Sequence, residues 1–561
     1  MTNLRLTKAA VRPGRLLWVA AAGVAVLATI FPAQGAAARK RHQLHRPHAQ
    51  LAQHTLHVEG TEANGAIALR LEAGNPAVLQ VDIGDNGSAD FSFPRASINR
   101  ISVAARGGDD HVRIDDTNGT FTDTIPTSLE GGRGNDTIVG GAGSEKLNGG
   151  PGNDSIDGRG GTDVSDLGPG DDSFVWDPGD GSDTIEGGGG TDTMVFDGAA
   201  ASETVDLSAN GHRLRFFRSP GNITMDTHGV EHVAFNALGG ADSVTVNDLT
   251  GTGVTNVGVD LAGTLGGTTG DGQTDRVSVV GTNGNDAITA AGDTSGFTVS
   301  GLQTQVAVQH QEPTDQLFVL GVGGNDGISA TGLAAGAVSE FLNGGDGNDT
   351  VAGGPGAETL LGGNGNDSID GNGGSDLAGL GAGSDTFVWD PGDGSDTIEG
   401  DDGQDTLVFN GAAAADTVDL SANGDRLRFF RNPGNVTMDT QGVERVAFNA
   451  LGGADAITVG DLTGTDVTDV DLNLAGTLGG TTGDGRPDSV VVDGTNGNDA
   501  LTVAGGAADV SVTGLAATVD LQHAEPADAL DLETFDGIDT LVSSGLAAGT
   551  LQLFFDGNLV P

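Results

Sequence analysis

Three observations predict an all-β fold, in which parallel β-roll or β-solenoid arrays are separated by β-rich spacer domains. Glycine supplies 97 of 561 residues, against a usual ~7%. Acidic residues recur every nine positions in two stretches, each beside a glycine-rich turn. Between the stretches, apolar and polar residues alternate with period two, as in DSVTV at 242–246; that pattern marks strands rather than helices.

Composition narrows the possibilities further. Aromatic residues are 4% of the chain, with no Tyr and three Trp, so a thick globular core is out of reach and a thin, stacked one is not. The formal charge is −53, from 78 acidic and 25 basic residues. Such a surface repels nucleic acid and anionic lipid, which are held through basic patches, and it attracts cations. With no Cys, disulfides, thiolate metal sites and Cys nucleophiles are excluded.

The chain opens on Arg5, Lys8, Arg12 and Arg15, then an apolar run at 16–31 and the small-residue stretch PAQGAAA at 32–38. That order predicts a signal peptide over 1–38 and a secreted, extracellular (bacterial) protein. The sixteen apolar residues fall short of the ~20 needed to span a bilayer, so no membrane span is expected after cleavage. Residues 39–54 are basic and His-rich, with His42, His45, His48 and His54, and a flexible N-terminus is expected there. A β-rich N-terminal segment follows over 55–130.

Array 1 occupies 131–195. It begins GGRGNDTIV, GGAGSEKLN, GGPGNDSID, and its sixth positions are Asp136, Glu145, Asp154, Asp163 and Asp172. A two-residue insertion then leads to Asp183, and nine more residues to Asp192. Array 2, over 344–408, begins GGDGNDTVA, GGPGAETLL, GGNGNDSID and carries Asp349, Glu358, Asp367, Asp376, Asp385, Asp396 and Asp405. Each acid lies 213 residues after its counterpart, and RLRFFR at 213–218 returns at 426–431. An internal duplication of one 213-residue unit explains both. The segments 196–343 and 409–561 are the β-rich spacers, read either as separate β-domains or as metal-poor continuations of the solenoid. They contain the worn nonapeptides GTNGNDAIT at 281–289, GVGGNDGIS at 321–329 and GTNGNDALT at 494–502.

The repeat G-G-x-G-x-D-x-U-x divides into a six-residue turn and a three-residue strand. Glycines at positions one, two and four, such as Gly132, Gly134, Gly150, Gly152, Gly345, Gly347, Gly363 and Gly365, permit positive φ and close backbone approach. Position eight is apolar (Ile138, Leu147, Ile156, Phe174), with Ser165 and Ala378 as weak places. If two nonapeptides make one coil, coils stack at ~4.8 Å. Asp136, Asp154 and Asp172 then line one edge, and Glu145, Asp163 and Asp183 the other. Carboxylates so close repel unless a cation lies between them. Hard carbonyl and carboxylate oxygens suit Ca²⁺, which accepts six to eight ligands in flexible geometry. Zn²⁺ would want His or Cys, and the arrays contain neither.

These arrays resemble the RTX (repeats-in-toxin, haemolysin-type) family of parallel β-rolls, as does FVWDPGDGSDTIEG at 174–187 and 387–400. The resemblance covers the two arrays, a minority of the chain. It implies several Ca²⁺ per array, bound by loop carbonyls and the sixth-position carboxylates. Two departures stand out. Glu145 and Glu358 are a methylene longer than Asp, so weaker sites are expected there. Many RTX proteins also leave the cell by a C-terminal signal, whereas this chain carries an N-terminal one.

DIGDNGSAD at 82–90 imitates an EF-hand loop, but Gly84 and Phe93 stand where acids belong, so Asp82 is expected in a β-turn. No G-x-S-x-G, H-E-x-x-H or P-loop motif is present, and a non-enzyme is expected. Trp176 and Trp389 occupy equivalent places and are expected to cap the short core beside each insertion. The reading is a Ca²⁺-binding protein that folds on binding calcium, with a structural or adhesive extracellular role. Extracellular matrix or a cell-surface glycan is the partner class considered. The alternatives are a carbohydrate- or matrix-binding module, and a secreted hydrolase with an unrecognised catalytic region.

Overall fold

The structure, a computed structural model, describes residues 46–506 and 508–561. The signal peptide expected at 1–38 lies outside the described residues, as do His42 and His45. Among the described residues every regular element is a strand, apart from the single 3₁₀ turns Arg95–Ser97 and Asp116–Asn118.

The strands form two long sheets. The chain crosses from one to the other at each turn, so that two nonapeptides complete a coil. In array 1, Glu145–Asn148, Val164–Pro169 and Thr184–Gly189 stack parallel in the first sheet, with Lys146 opposite Val164 and Val164 opposite Thr184. Ser155–Asp157, Ser173–Trp176 and Thr193–Asp197 do so in the second, with Ser155 opposite Ser173 and Ser173 opposite Thr193. The strands are short because each nonapeptide spends six residues on its turn. Position-eight side chains point between the sheets, and Ile138, Leu147, Ile156, Phe174, Ile185 and Met194 are all buried. At the weak places Ser165 and Ala378, Leu167 and Leu380 lie on the same inward face two residues later and are buried too.

The spacers continue both sheets without a break. After Thr193–Asp197 the chain does not take the next place in the first sheet. It runs Thr204–Asn210, Arg213–Ser219 and Ile223–His228 as an antiparallel meander laid down backwards. Ile223–His228 thus pairs with Thr184–Gly189, and Thr204–Asn210 pairs with Ser243–Val246. This advances the first sheet by two strands, roughly 10 Å. A second meander in the other sheet restores the balance. There Gln305–Gln309 joins Asn256–Asp260, while Ala287–Asp293 joins Gly327–Leu333. Both devices recur in the second unit, over Thr417–Asn423 to Val436–Gln441 and Ala500–Gly506 to Thr518–Gln522.

Two expectations change. Part of the 39–54 segment expected to be flexible is ordered, because His48–Ala52 pairs antiparallel with Thr55–Thr61 and gains a full set of ladder partners. Trp176 does not cap the core. Its ring stacks on Phe196 at 3.9 Å, Phe196 lies 4.4 Å from Phe216, and Phe235 lies 6.2 Å from both. Trp389 begins the same column with Phe409, Phe429 and Phe448. The column runs from the array into the spacer because the inward face never ends at the boundary.

Candidate metal centres on the coil edges

The turns stack backbone on backbone. Gly132, Gly134, Gly150 and Gly152 have φ of 116°, 117°, 100° and 146°, and Gly345, Gly347, Gly363 and Gly365 have 107°, 136°, 114° and 136°. A methyl group on Gly150 would lie 2.0 Å from the Gly132 carbonyl oxygen, and one on Gly152 would lie 1.8 Å from that of Gly134. Carbonyls of one turn therefore face the next turn, with no room for a side chain. The first glycine has a different role. Gly149 needs no positive φ, but a Cβ there would lie 2.4 Å from Asp154 Oδ2.

The sixth-position carboxylates form two ladders. The amide of Asp136 donates to Asp154 Oδ1 at 2.7 Å, that of Asp154 to Asp172 Oδ1 at 2.7 Å, and that of Asp172 to Asp192 Oδ1 at 3.0 Å. On the other edge Glu145 donates to Asp163 Oδ1 at 2.7 Å, and Asp163 to Asp183 Oδ1 at 2.8 Å. Array 2 repeats both, through Asp349, Asp367, Asp385 and Asp405 on one edge and Glu358, Asp376 and Asp396 on the other. This is the alternation expected from two nonapeptides per coil.

Each rung uses one carboxylate oxygen and strands the other. The second oxygen of Asp136, Asp154, Asp163, Asp172, Asp183 and Asp192 is buried and has no hydrogen-bond partner. The same holds for Asp349, Asp367, Asp376, Asp385, Asp396 and Asp405. A buried carboxylate oxygen is costly unless something positive meets it. Burial, reinforced by neighbouring carboxylates, pushes Asp154 up to about 7, Asp163 up to about 9 and Asp376 up to about 7. Among the described residues no three His, Cys, Asp or Glu side chains gather into a metal cage. A cation here would take one carboxylate oxygen per turn and draw its remaining ligands from backbone carbonyls. That all-oxygen donor set fits Ca²⁺.

The structure sorts the turns into two kinds. In the open kind the carboxylate oxygen is stranded and position two has positive φ, as does position four except in the turns of Asp183 and Asp396. In the other, the position-two amide turns back and caps the carboxylate: Gly141 donates to Glu145 Oε2 at 2.8 Å and Thr282 to Asp286 Oδ2 at 2.6 Å. Gly141 and Gly143 accordingly lack positive φ. Glu145 spends Oε2 on its own turn rather than on the amide of the turn below, the physical basis for a different site there. Gly354 and Gly356 lack positive φ as well, yet Glu358 Oε2 is buried without a hydrogen-bond partner, so there the turn conformation recurs without the cap.

Some members of the ladders escaped sequence reasoning. Asp110 continues the first ladder, its amide donating to Asp136 Oδ1 at 2.8 Å, and Asp326 does the same onto Asp349 at 2.7 Å. Their turns, ARGGDD at 105–110 and GVGGND at 321–326, are open, with Arg106 at φ 87° and Val322 at φ 81° in the glycine place. The signal that could have found Asp110 is the paired glycine followed two residues later by Asp. Glu340 is buried below Glu358 with a partnerless Oε2, where the first unit has Thr127. Asp82 plays no part in the ladders; it pairs with Arg70 at 2.9 Å and accepts from the amides of Asn86 and Gly87, a closed β-turn.

Fold and edges together define a parallel β-solenoid whose glycine turns hold ladders of partnerless carboxylates. The arrays match RTX calcium-binding nonapeptide repeats. The family described as RTX calcium-binding nonapeptide repeat (4 copies) matches residues 128–155, 139–174, 179–199, 335–368, 352–387 and 392–413. Among curated proteins no match is found. Among solved structures, the extracellular lipase LipA from Serratia marcescens is similar at 18% identity, with a TM-score of 0.14. That similarity covers 61% of this chain and 42% of the lipase, so the chain spans less than half of that protein.

Proposed function

We propose that the chain is a secreted calcium-binding scaffold whose arrays fold when Ca²⁺ enters between stacked turns. The carrying observation is the row of buried carboxylate oxygens without partners on each edge. The ligands would be the free oxygens of Asp136, Asp154, Asp163, Asp172, Asp183 and Asp192 and their array 2 counterparts, with carbonyls of the glycine turns. Without metal, the ladders repel and the glycine turns carry a large backbone entropy cost; with metal, binding free energy becomes folding free energy. Extracellular modules of this kind bind at ~10⁻⁴ to 10⁻³ M, so low cytosolic calcium would leave the arrays unfolded until export. The basic, apolar and small-residue order of 1–38 and the acidic surface support an extracellular structural or adhesive role.

The test is a calcium titration of the whole chain in chelator-treated buffer, read by circular dichroism and calorimetry. β-Structure should rise with Ca²⁺ in the millimolar range and much less with Mg²⁺. Full β-structure in chelator would overturn the mechanism.

A further inference from the structure

The stranded carboxylate is not confined to the arrays. The turn ALGGAD at 237–242 lies in spacer 1, outside every matched repeat. It nevertheless has the open conformation, with Leu238 at φ 70° and Gly240 at φ 109°. Leucine in that region is strained, and the fold holds it there. Asp242 is 3% exposed. Its Oδ1 accepts the Glu203 amide at 2.7 Å, and its own amide donates to Asp275 Oδ1 at 2.7 Å, so it stands in a ladder like those of the arrays. Its Oδ2 is buried and partnerless. The Arg218 guanidinium bonds Glu203, one turn below, and the Pro220 carbonyl rather than Asp242. Above the turn stacks GDGQTD at 270–275, and Asp271 Oδ2 accepts the Gly240 amide at 2.6 Å. A second carboxylate is thereby fixed against the open turn.

We infer that the turn at 237–242 is a calcium site outside the nonapeptide arrays, centred on Asp242 Oδ2 and backbone carbonyls of its turn, with Asp271 and Asp275 adding negative charge. The worn repeats at 281–286 and 494–499 look more like nonapeptides, yet they are not such sites. Thr282 and Thr495 cap Asp286 and Asp499 through amide and hydroxyl. Turn conformation, rather than likeness to the motif, therefore separates cation sites from closed turns. The counterpart turn at 450–455 has the same backbone conformation, with Leu451 at φ 68° and Gly453 at φ 139°, but Asp455 has no buried oxygen without a partner, so the inference is confined to the first copy.

The inference rests on calcium binding by the arrays, and direct counting separates the two. Bound Ca²⁺ is measured by equilibrium dialysis on the whole chain as wild type, Asp242→Asn, Asp271→Asn and Asp286→Asn. Asp242→Asn should lose about one ion per chain, and Asp286→Asn none. Asp271→Asn keeps an acceptor for Gly240 and should weaken one site roughly tenfold without unfolding, which covers the case in which Asp242→Asn folds poorly. An unchanged count for Asp242→Asn with unchanged affinity for Asp271→Asn overturns the spacer site alone. A wild-type chain that binds no calcium overturns the array reading as well.

Discussion

A single carboxylate in a ladder rung does two jobs with its two oxygens. Oδ1 of Asp154 holds the amide of Asp136, and Oδ2 is left for a cation. Asp154→Ala or Asp367→Ala should therefore lose a charge-assisted hydrogen bond, about 1.5–3 kcal/mol, as well as a ligand. Calorimetry should show calcium affinity at that edge falling roughly ten- to a hundredfold. Glu145→Ala should cost less, because Glu145 accepts only from Gly141 of its own turn and holds no amide of the neighbouring coil. Asp82→Ala should leave calcium affinity unchanged, since its partners are Arg70 and two amides. Titration is predictable too. Burial raises Asp154, Asp163, Asp183 and Asp396 to about 7, 9, 7 and 7, from an ordinary 3.8. Below their unfolded pKa these groups are protonated in both states and cost nothing. As pH rises toward the folded values, only the unfolded chain ionises freely, so metal-free stability falls between about pH 4 and 9. Urea unfolding in chelator should give its highest midpoint near pH 4, and calcium should restore stability at pH 8.

At the scale of elements, arrays and meanders solve one charge problem in two ways. An array leaves its carboxylates to an external cation. The meander brings its own, through the RLRFFR strands. Arg213 reaches Asp226 and Glu186 at 2.6 Å, Arg215 reaches Asp206 at 3.1 Å, and Arg218 is buried against Glu203. Arg426, Arg428 and Arg431 repeat this with Asp439, Glu399, Asp419 and Asp416. Arg218→Ala would strand a buried carboxylate and should destabilise by about 3–5 kcal/mol. Adding Glu203→Gln should recover part of that loss in the same denaturation measurement. The arginine pairs were legible only as a repeated string. Their partners lie up to 27 residues away, as with Glu186 and Arg213, and only the reversed order of the meander brings them together.

Over the whole molecule the two sheets run through arrays and spacers alike, so each coil is supported by its neighbours as in other solenoids. Stability along the axis should still be uneven. Hydrogen exchange in chelator should show 131–195 and 344–408 losing protection first, with 204–228 and 417–441 holding theirs through the arginine pairs and the Trp-Phe columns. Uniform loss along the chain would instead mark the solenoid as one cooperative unit.

By itself the sequence determined the class of fold, the two ladders and the chemistry of their donors, because a nine-residue period with glycine at fixed places leaves the backbone few alternatives. It also carried the 213-residue duplication, meanders included. Only the tertiary structure decided which turns are open. Asp286 follows a nearly intact motif and is capped by Thr282, while Asp242 follows a degraded one and is stranded beneath Asp271. The difference lies in positive φ at Leu238 and its absence at Thr282. Residue type biases that choice, but the stacking of neighbouring turns settles it, and no local pattern records which turn will lie above which.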